Sequence, residues 1–267
     1  MESEIVLHTK DFDLAQTLDC GQCFRYNVVS KNKYIGVANI YPVILEQNDN
    51  QLIIKSTNSD EKFWKNYFDL DRDYAKIKKR LSTKKVLKEA ISTSGGIHIL
   101  KQDLWETIIS FIISANNNIP RIKGIIGRLC ELCGDEVVFE GQKFYTFPTP
   151  EQILGRDLSP IRAGFRAKYI TELARQVMIG EVKLDGKINK FTLTKIKGVG
   201  EKIASCVMLF SCSDMTSFPV DVWIDKIMKE KFNLAGNTPY AYASENFGPY
   251  AGIAQQYLYN HFRNEAV

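Results

Sequence analysis

The spacing of hydrophobic residues changes near residue 60. From residue 5 to about 56 the apolar runs are short, β-branched and aromatic: IVLHT, QCFRYNVV, YIGVANI, PVILEQ and QLIIKST. Turn-like clusters such as SKNK and NDN separate them, which predicts an antiparallel sheet. After EKFWKNYFDLDRDY the apolar positions recur at helical spacing and mostly keep it. DLWETIISFIISA (103–115) predicts a helix halted at Asn116, Asn117 and Asn118. IPRIKGIIGRLCELC restarts one, with Pro120 in its first turn and Gly134 as its stop. TFPTPEQILG and LSPIRAGF are short and proline-punctuated, RAKYITELARQVMIG is amphipathic, and two further helices run from Val222 to about Asn233 and from about Tyr250 to Phe262. The expected fold class is α+β: an N-terminal antiparallel-sheet subdomain with flanking helices (1–100), then a mostly α-helical region (101–267).

Between the short helix FTLTKIK and the next helix lies Gly198-Val199-Gly200, so a helix–hairpin–helix motif is predicted. Glycine permits positive φ and close backbone approach. The first N–H groups of the second helix have no internal acceptor and point outward at its positive dipole end, where a phosphate oxygen fits. The stretch lacks the GxxxxGK[ST] pattern of a nucleotide-binding loop.

The 267 residues are 45% apolar and 25% charged, which is ordinary globular composition. No apolar run approaches a membrane span. The start, MESEIVLHTKDFD, has no signal-peptide core, so the expected location is the cytoplasm, at the nucleoid in a prokaryote. A net charge of +4 permits a polyanionic partner without demanding one. Two CxxC pairs, Cys20/Cys23 and Cys130/Cys133, could suggest zinc. They lie more than a hundred residues apart, and the second sits in the last turn of a helix, so buried reduced thiols are expected and no metal site.

Lys202 opens the helix after the hairpin, among Ile203, Ala204 and Cys206. A lysine acts as a nucleophile only once deprotonated, which desolvation and a helix N-terminus favour; Glu201 would oppose this if turned inward. From local sequence alone an ordinary exposed helix lysine is the favoured reading, and only what lies downstream changes that. Nineteen residues on, Asp221 follows Pro219 at the start of the next helix. It suits an N-cap, its plainest role; a carboxylate there can also stabilise developing positive charge at a sugar or move a proton.

The assembly KGVGEKIASC…FPVDVW resembles the helix–hairpin–helix DNA glycosylases. CGQCFRY (20–26), SANNNIPRI (114–122), GFRAKYI (164–170) and GPYAGIAQQYLY (248–259) resemble, in the same order, the 8-oxoguanine DNA glycosylases. The resemblance implies a bifunctional enzyme acting by base flipping on duplex DNA that contains 8-oxoguanine. Lys202 would attack C1′, expel the base and form a Schiff base that leads to β-elimination, assisted by Asp221. Gly198, Gly200 and Ile203 would bind phosphate through backbone amides. The Gly21 carbonyl would accept from N7–H of the lesion, Gln255 would read the Watson–Crick edge, and Cys206 and Tyr259 would sandwich the purine. Family members usually carry Phe at the Tyr259 position, so its hydroxyl needs a partner.

Asn116 would fill the gap left by the flipped nucleotide, and Arg121 and Arg166 would read the cytosine opposite. Phe165 stands where eukaryotic members carry a Tyr wedge, and Trp223 where they carry a phosphate-contacting His. The resemblance implies a monomer without a required cofactor. An ion, divalent or monovalent, at the hairpin–phosphate contact is left open. Unlike the endonuclease III relatives, the chain has no four-cysteine cluster after Cys212, so no iron–sulfur cluster is expected. Two rivals stay open: a glycosylase of this superfamily for another purine lesion, and a non-catalytic DNA-binding module.

Overall fold

The computed structural model describes residues 2–265. A five-stranded antiparallel sheet is built from β1 (Ser3–His8), β2 (Tyr26–Ser30), β3 (Lys33–Ala38), β4 (Tyr41–Asn48) and β5 (Gln51–Ser56). Strands β2 to β5 form a meander, and β1 closes it by pairing with β5, giving the order β1-β5-β4-β3-β2. The period-2 pattern explains which face is buried. Leu7 opposes Leu52 and Leu45 opposes Ile54, all on the inner face. Helices α1 (Leu14–Asp19) and α2 (Glu61–Tyr67) supply Leu14, Leu18, Trp64 and Tyr67 to the same small core.

Helices α3 (Tyr74–Leu81) and α4 (Lys85–Ser94) lead into the helical body. There α5 (Leu104–Ser114) and α6 (Ile119–Cys133) are followed by a hairpin, β6 (Glu136–Phe139) and β7 (Gln142–Tyr145). Next come α7 (Pro150–Ile153), α8 (Arg166–Met178), α9 (Lys190–Thr194), α10 (Glu201–Phe210), α11 (Val222–Lys231), α12 (Pro239–Phe247) and α13 (Ala251–Glu265). α5 is nearly all apolar and, apart from half-buried Glu106, is buried from Trp105 to Ile113, so it forms the centre of the larger core. Phe111 on it stacks on Phe210 of α10, with centroids 5.5 Å apart, and meets Phe24 edge-on at 5.6 Å.

The sheet is bolted to this body by polar groups. Arg25, just before β2, donates to Glu106 of α5 at 2.9 Å, to the Asn39 carbonyl at 3.1 Å and to the Tyr145 carbonyl at 2.6 Å. Gln22 donates to the Thr17 and His98 carbonyls, each at 2.8 Å, and accepts from the Leu100 N–H at 2.9 Å. These bonds fix the turn that carries Gly21, whose φ of +84° suits glycine. All six cysteines are free, and only Cys212 is not fully buried.

The hairpin β6–β7 is an element the helical reading of this region missed. Its signal was the two-residue turn Glu140-Gly141, with φ of +48° and +69°, between VVF and QKFY.

Candidate active site

The site begins at the hairpin between α9 and α10. Asn189 starts α9 with a capping box shared with Thr192. Gly198 turns the chain at a φ of +92°, where a Cβ would lie 2.6 Å from Cδ2 of Tyr169. Gly200 then opens α10 in extended backbone, and no side chain caps that end. The first internal bond is from the Ala204 N–H to the Gly200 carbonyl at 2.9 Å. The N–H groups of Glu201, Lys202 and Ile203 therefore keep no helical acceptor, which is the arrangement an anion needs.

Lys202 is half-buried, with Nζ 5.2 Å from the centroid of the Phe111 ring. Glu201 does not turn inward: its carboxylate pairs with Lys190 at 2.6 Å and is largely exposed. Among the described residues Lys202 belongs to no ion pair. One turn on, burial pushes the Cys206 thiol up, while the Lys202 amine pulls it down and Asp221 pushes it further up. Asp221 caps α11, its Oδ1 accepting from the Ile224 N–H at 2.8 Å. The capping bond uses Oδ1 and leaves Oδ2 uncommitted to it.

Lys202, Asp221, Gly200, Ile203 and Trp223 line one cleft of about 900 Å³. Asn116, Gly21 and Tyr259 line it from the other elements. The asparagine triplet divides its work. Asn117 closes α5, donating to the Ile113 carbonyl at 2.8 Å, and Asn118 caps α6 by accepting from the Arg121 N–H at 3.0 Å. Asn116 is left exposed, at a φ of +51°.

Several of the residues singled out in the sequence lie elsewhere. Cys206 and Gln255 are buried and do not line the cleft, and the Gln255 side-chain oxygen accepts from Gln256 at 2.6 Å. Arg166 is 5% exposed and donates to the Ala163 carbonyl at 3.3 Å and to the Ala115 carbonyl, so it holds the end of α5 beside Asn116. Phe165, 57% exposed, packs under the Arg166 guanidinium at 4.5 Å and edge-on to Tyr169 at 5.7 Å. Arg121 is exposed and borders a second, basic concavity with Arg156, Arg162 and Lys168.

Comparison with known proteins covers the whole of this architecture. Residues 4–108 match the family model of the 8-oxoguanine DNA glycosylase N-terminal domain, and residues 109–248 match that of HhH-GPD superfamily base excision DNA repair proteins. The chain belongs to the 8-oxoguanine DNA glycosylase family. An N-glycosylase/DNA lyase of Saccharomyces cerevisiae is 30% identical over 88% of this chain and 72% of its own. The 8-oxoguanine glycosylase/lyase of Clostridium acetobutylicum, solved with DNA bearing cytosine opposite 8-oxoguanine, is 35% identical, with a TM-score of 0.92 over 100% of this chain and 99% of that one. MBOgg1, solved with a low-affinity DNA ligand, is 40% identical, with a TM-score of 0.93 over 99% of this chain and 96% of that one.

Two residues of this 8-oxoguanine DNA glycosylase went unnoticed in the sequence. Phe111, the ring beneath Lys202, looked like any core aromatic of α5. Arg263 also lines the cleft, and its only signal was the i, i+4 spacing from Tyr259. Among the described residues no group of three or more His, Cys, Asp and Glu side chains could hold a metal ion.

Proposed function

We propose that this glycosylase excises 8-oxoguanine from duplex DNA and then cleaves the strand, using Lys202 as nucleophile. The observation that carries this reading is the half-buried Lys202 amine, free of any carboxylate partner among the described residues, in one cleft with Asp221. The damaged nucleotide leaves the stack, because C1′ is out of reach within it. The uncapped end of α10 receives a backbone phosphate, and Asn116 stands on the opposite rim to occupy the vacated position in the duplex.

The Lys202 nitrogen forms a bond to C1′ as the glycosidic bond breaks, and the leaving purine takes a proton. Asp221 faces the developing positive charge on the sugar. Ring opening gives a Schiff base, and loss of a C2′ proton expels the 3′ phosphate. The reaction uses protein groups alone, and one monomer acts on one duplex. Gly21 offers its carbonyl to N7–H, which guanine lacks; the lost bond and unpaired acceptor amount to about 1–3 kcal/mol, so selectivity needs further contacts. Gln255 reaches the base edge by exchanging its bond to Gln256. Arg121 and Phe165 meet the opposite strand, and Arg166 supports them from behind.

The two-unit division near residue 100 belongs to this reading, supported by a sheet confined to residues 3–56. No described helix is long and apolar enough to cross a membrane, and a cytoplasmic or nucleoid location suits a DNA substrate. The test is excision from duplexes carrying 8-oxoguanine opposite each of the four bases. Release of 8-oxoguanine with strand scission, fastest opposite cytosine, is expected. Release of an alkylated purine in its place, or binding without release, would replace this reading with one of its rivals.

A further inference from the structure

The hydroxyl of Tyr259 needs a partner in a site where phenylalanine would need none, and the Arg263 guanidinium lies beside this ring. Burial pushes this hydroxyl up, and the nearby Arg263 guanidinium is the largest influence opposing that push. Arg263 lies one turn beyond Tyr259 on α13, with its Cζ 5.5 Å from the tyrosine ring centroid. Its Nη2 donates to the Asp19 carbonyl at 2.7 Å, at the start of the turn that carries Gly21. The Asp19 carboxylate accepts from the Tyr34 hydroxyl of β3 at 2.7 Å, so this anchor is itself held by the sheet. On the other side Asn260 donates to Ser94 of α4 at 3.0 Å, fixing the register of α13.

One feature of Arg263 remains unexplained by this packing. Its Nη1 is buried and has no hydrogen-bond partner among the described residues, although buried donors of a charged group are normally satisfied. That nitrogen lies 4.0 Å from where a Gly21 Cβ would sit, and Tyr259 Cε1 lies 3.6 Å from the same point. Arg263, Gly21 and Tyr259 thus converge on one corner of the cleft.

We propose that Arg263 is a positioning residue for the base slot. It clamps the Tyr259 ring of α13 to the Gly21 turn through the Asp19 carbonyl, and it keeps Nη1 for an oxygen of the incoming purine. The oxygens on C6 and C8 of 8-oxoguanine flank N7, so a donor beside the Gly21 carbonyl faces one of them. This rests on the functional reading above. The slot width then depends on a cross-link between the two halves of the chain, and only a substrate that still carries a base feels it.

The experiment compares single-turnover excision from an 8-oxoguanine·cytosine duplex with cleavage of a duplex bearing a preformed abasic site. Arg263→Leu should lower excision about tenfold more than abasic-site cleavage, the loss expected for one charged hydrogen bond. Arg263→Lys, which keeps the charge without the planar fork, should recover part of that difference. In the double variant with Tyr259→Phe, the losses should be less than additive, because the two side chains are neighbours that act on the same corner of the cleft. Equal losses on both substrates, or no loss, would overturn the proposal while leaving the catalytic reading intact. Wild-type protein that cleaves neither substrate would instead sink the functional reading on which it rests.

Discussion

Gly198→Ala is a perturbation whose cost can be worked from the hairpin geometry. The residue sits at a φ of +92°, and an L-residue held in the left-handed region loses about 1–2 kcal/mol. The new Cβ would also meet Tyr169 at 2.6, 3.1 and 3.3 Å, against Cδ2, Cγ and Cε2. These are ring atoms of a half-buried side chain that itself contacts Phe165, so the ring has to move as a unit. Such overpacking costs about 1–3 kcal/mol. The sum is about 2–5 kcal/mol, which lowers the melting temperature by on the order of 10 °C for a chain of this size. Gly200→Ala is the matched control. Its φ of −89° and ψ of −179° are open to any residue, and no atom lies within 4 Å of its Cβ position. It should cost no more than about 1 kcal/mol, the difference between a glycine and an alanine helix cap. Thermal melting followed by circular dichroism reads both, and fluorescence anisotropy with a labelled duplex should show weaker binding by Gly198→Ala. Equal melting of the two variants would refute the claim that positive φ and the Tyr169 contact make Gly198 obligatory.

Two further predictions follow from buried titratable groups. Burial pushes His98, stacked on Tyr74 with centroids 3.7 Å apart, down to about 4. Because its folded value lies below its unfolded one, its contribution to stability is complete above about pH 6.5 and disappears as pH falls through 4, a total of about 3 kcal/mol. Urea unfolding at several pH values should show a shallower acid loss for His98→Asn than for wild type, and identical slopes would contradict the assignment. The second concerns thiols. Burial pushes Cys20 and Cys130 up to about 12, so neither offers a thiolate at neutral pH. A thiol reagent at pH 8 should modify Cys212 first in the native protein and all six cysteines in denaturant; rapid labelling of Cys20 or Cys130 would show that they are not held as described.

Much of this architecture was legible in the sequence because single residues carry strong local rules. Pro120 in a first turn and Gly134 at a helix end marked α6, which runs from Ile119 to Cys133. Asp221 behind Pro219 marked the start of α11. The paired CxxC motifs were read as packing, and the four thiols are free and buried. What escaped depends on contacts between distant segments. Whether Glu201 opposes Lys202 was undecidable until Lys190, eleven residues earlier, was seen to hold it. Arg166 has the charge of a base-reading side chain, but its carbonyl partners at Ala115 and Ala163 come from the end of another helix and from a loop. Phe111 and Arg263 acquire meaning only from what packs on them. The hairpin β6–β7 was hidden by its length, four residues a strand between two helices.

The central claim is that the amine of Lys202 becomes covalently joined to the sugar. Borohydride reduction during turnover of an 8-oxoguanine duplex, followed by proteolysis and mass spectrometry, tests it directly. The adduct should map to Lys202, and Lys202→Gln should bind the lesion duplex yet give no adduct. An adduct at another residue, or one of undiminished yield from Lys202→Gln, would contradict the account.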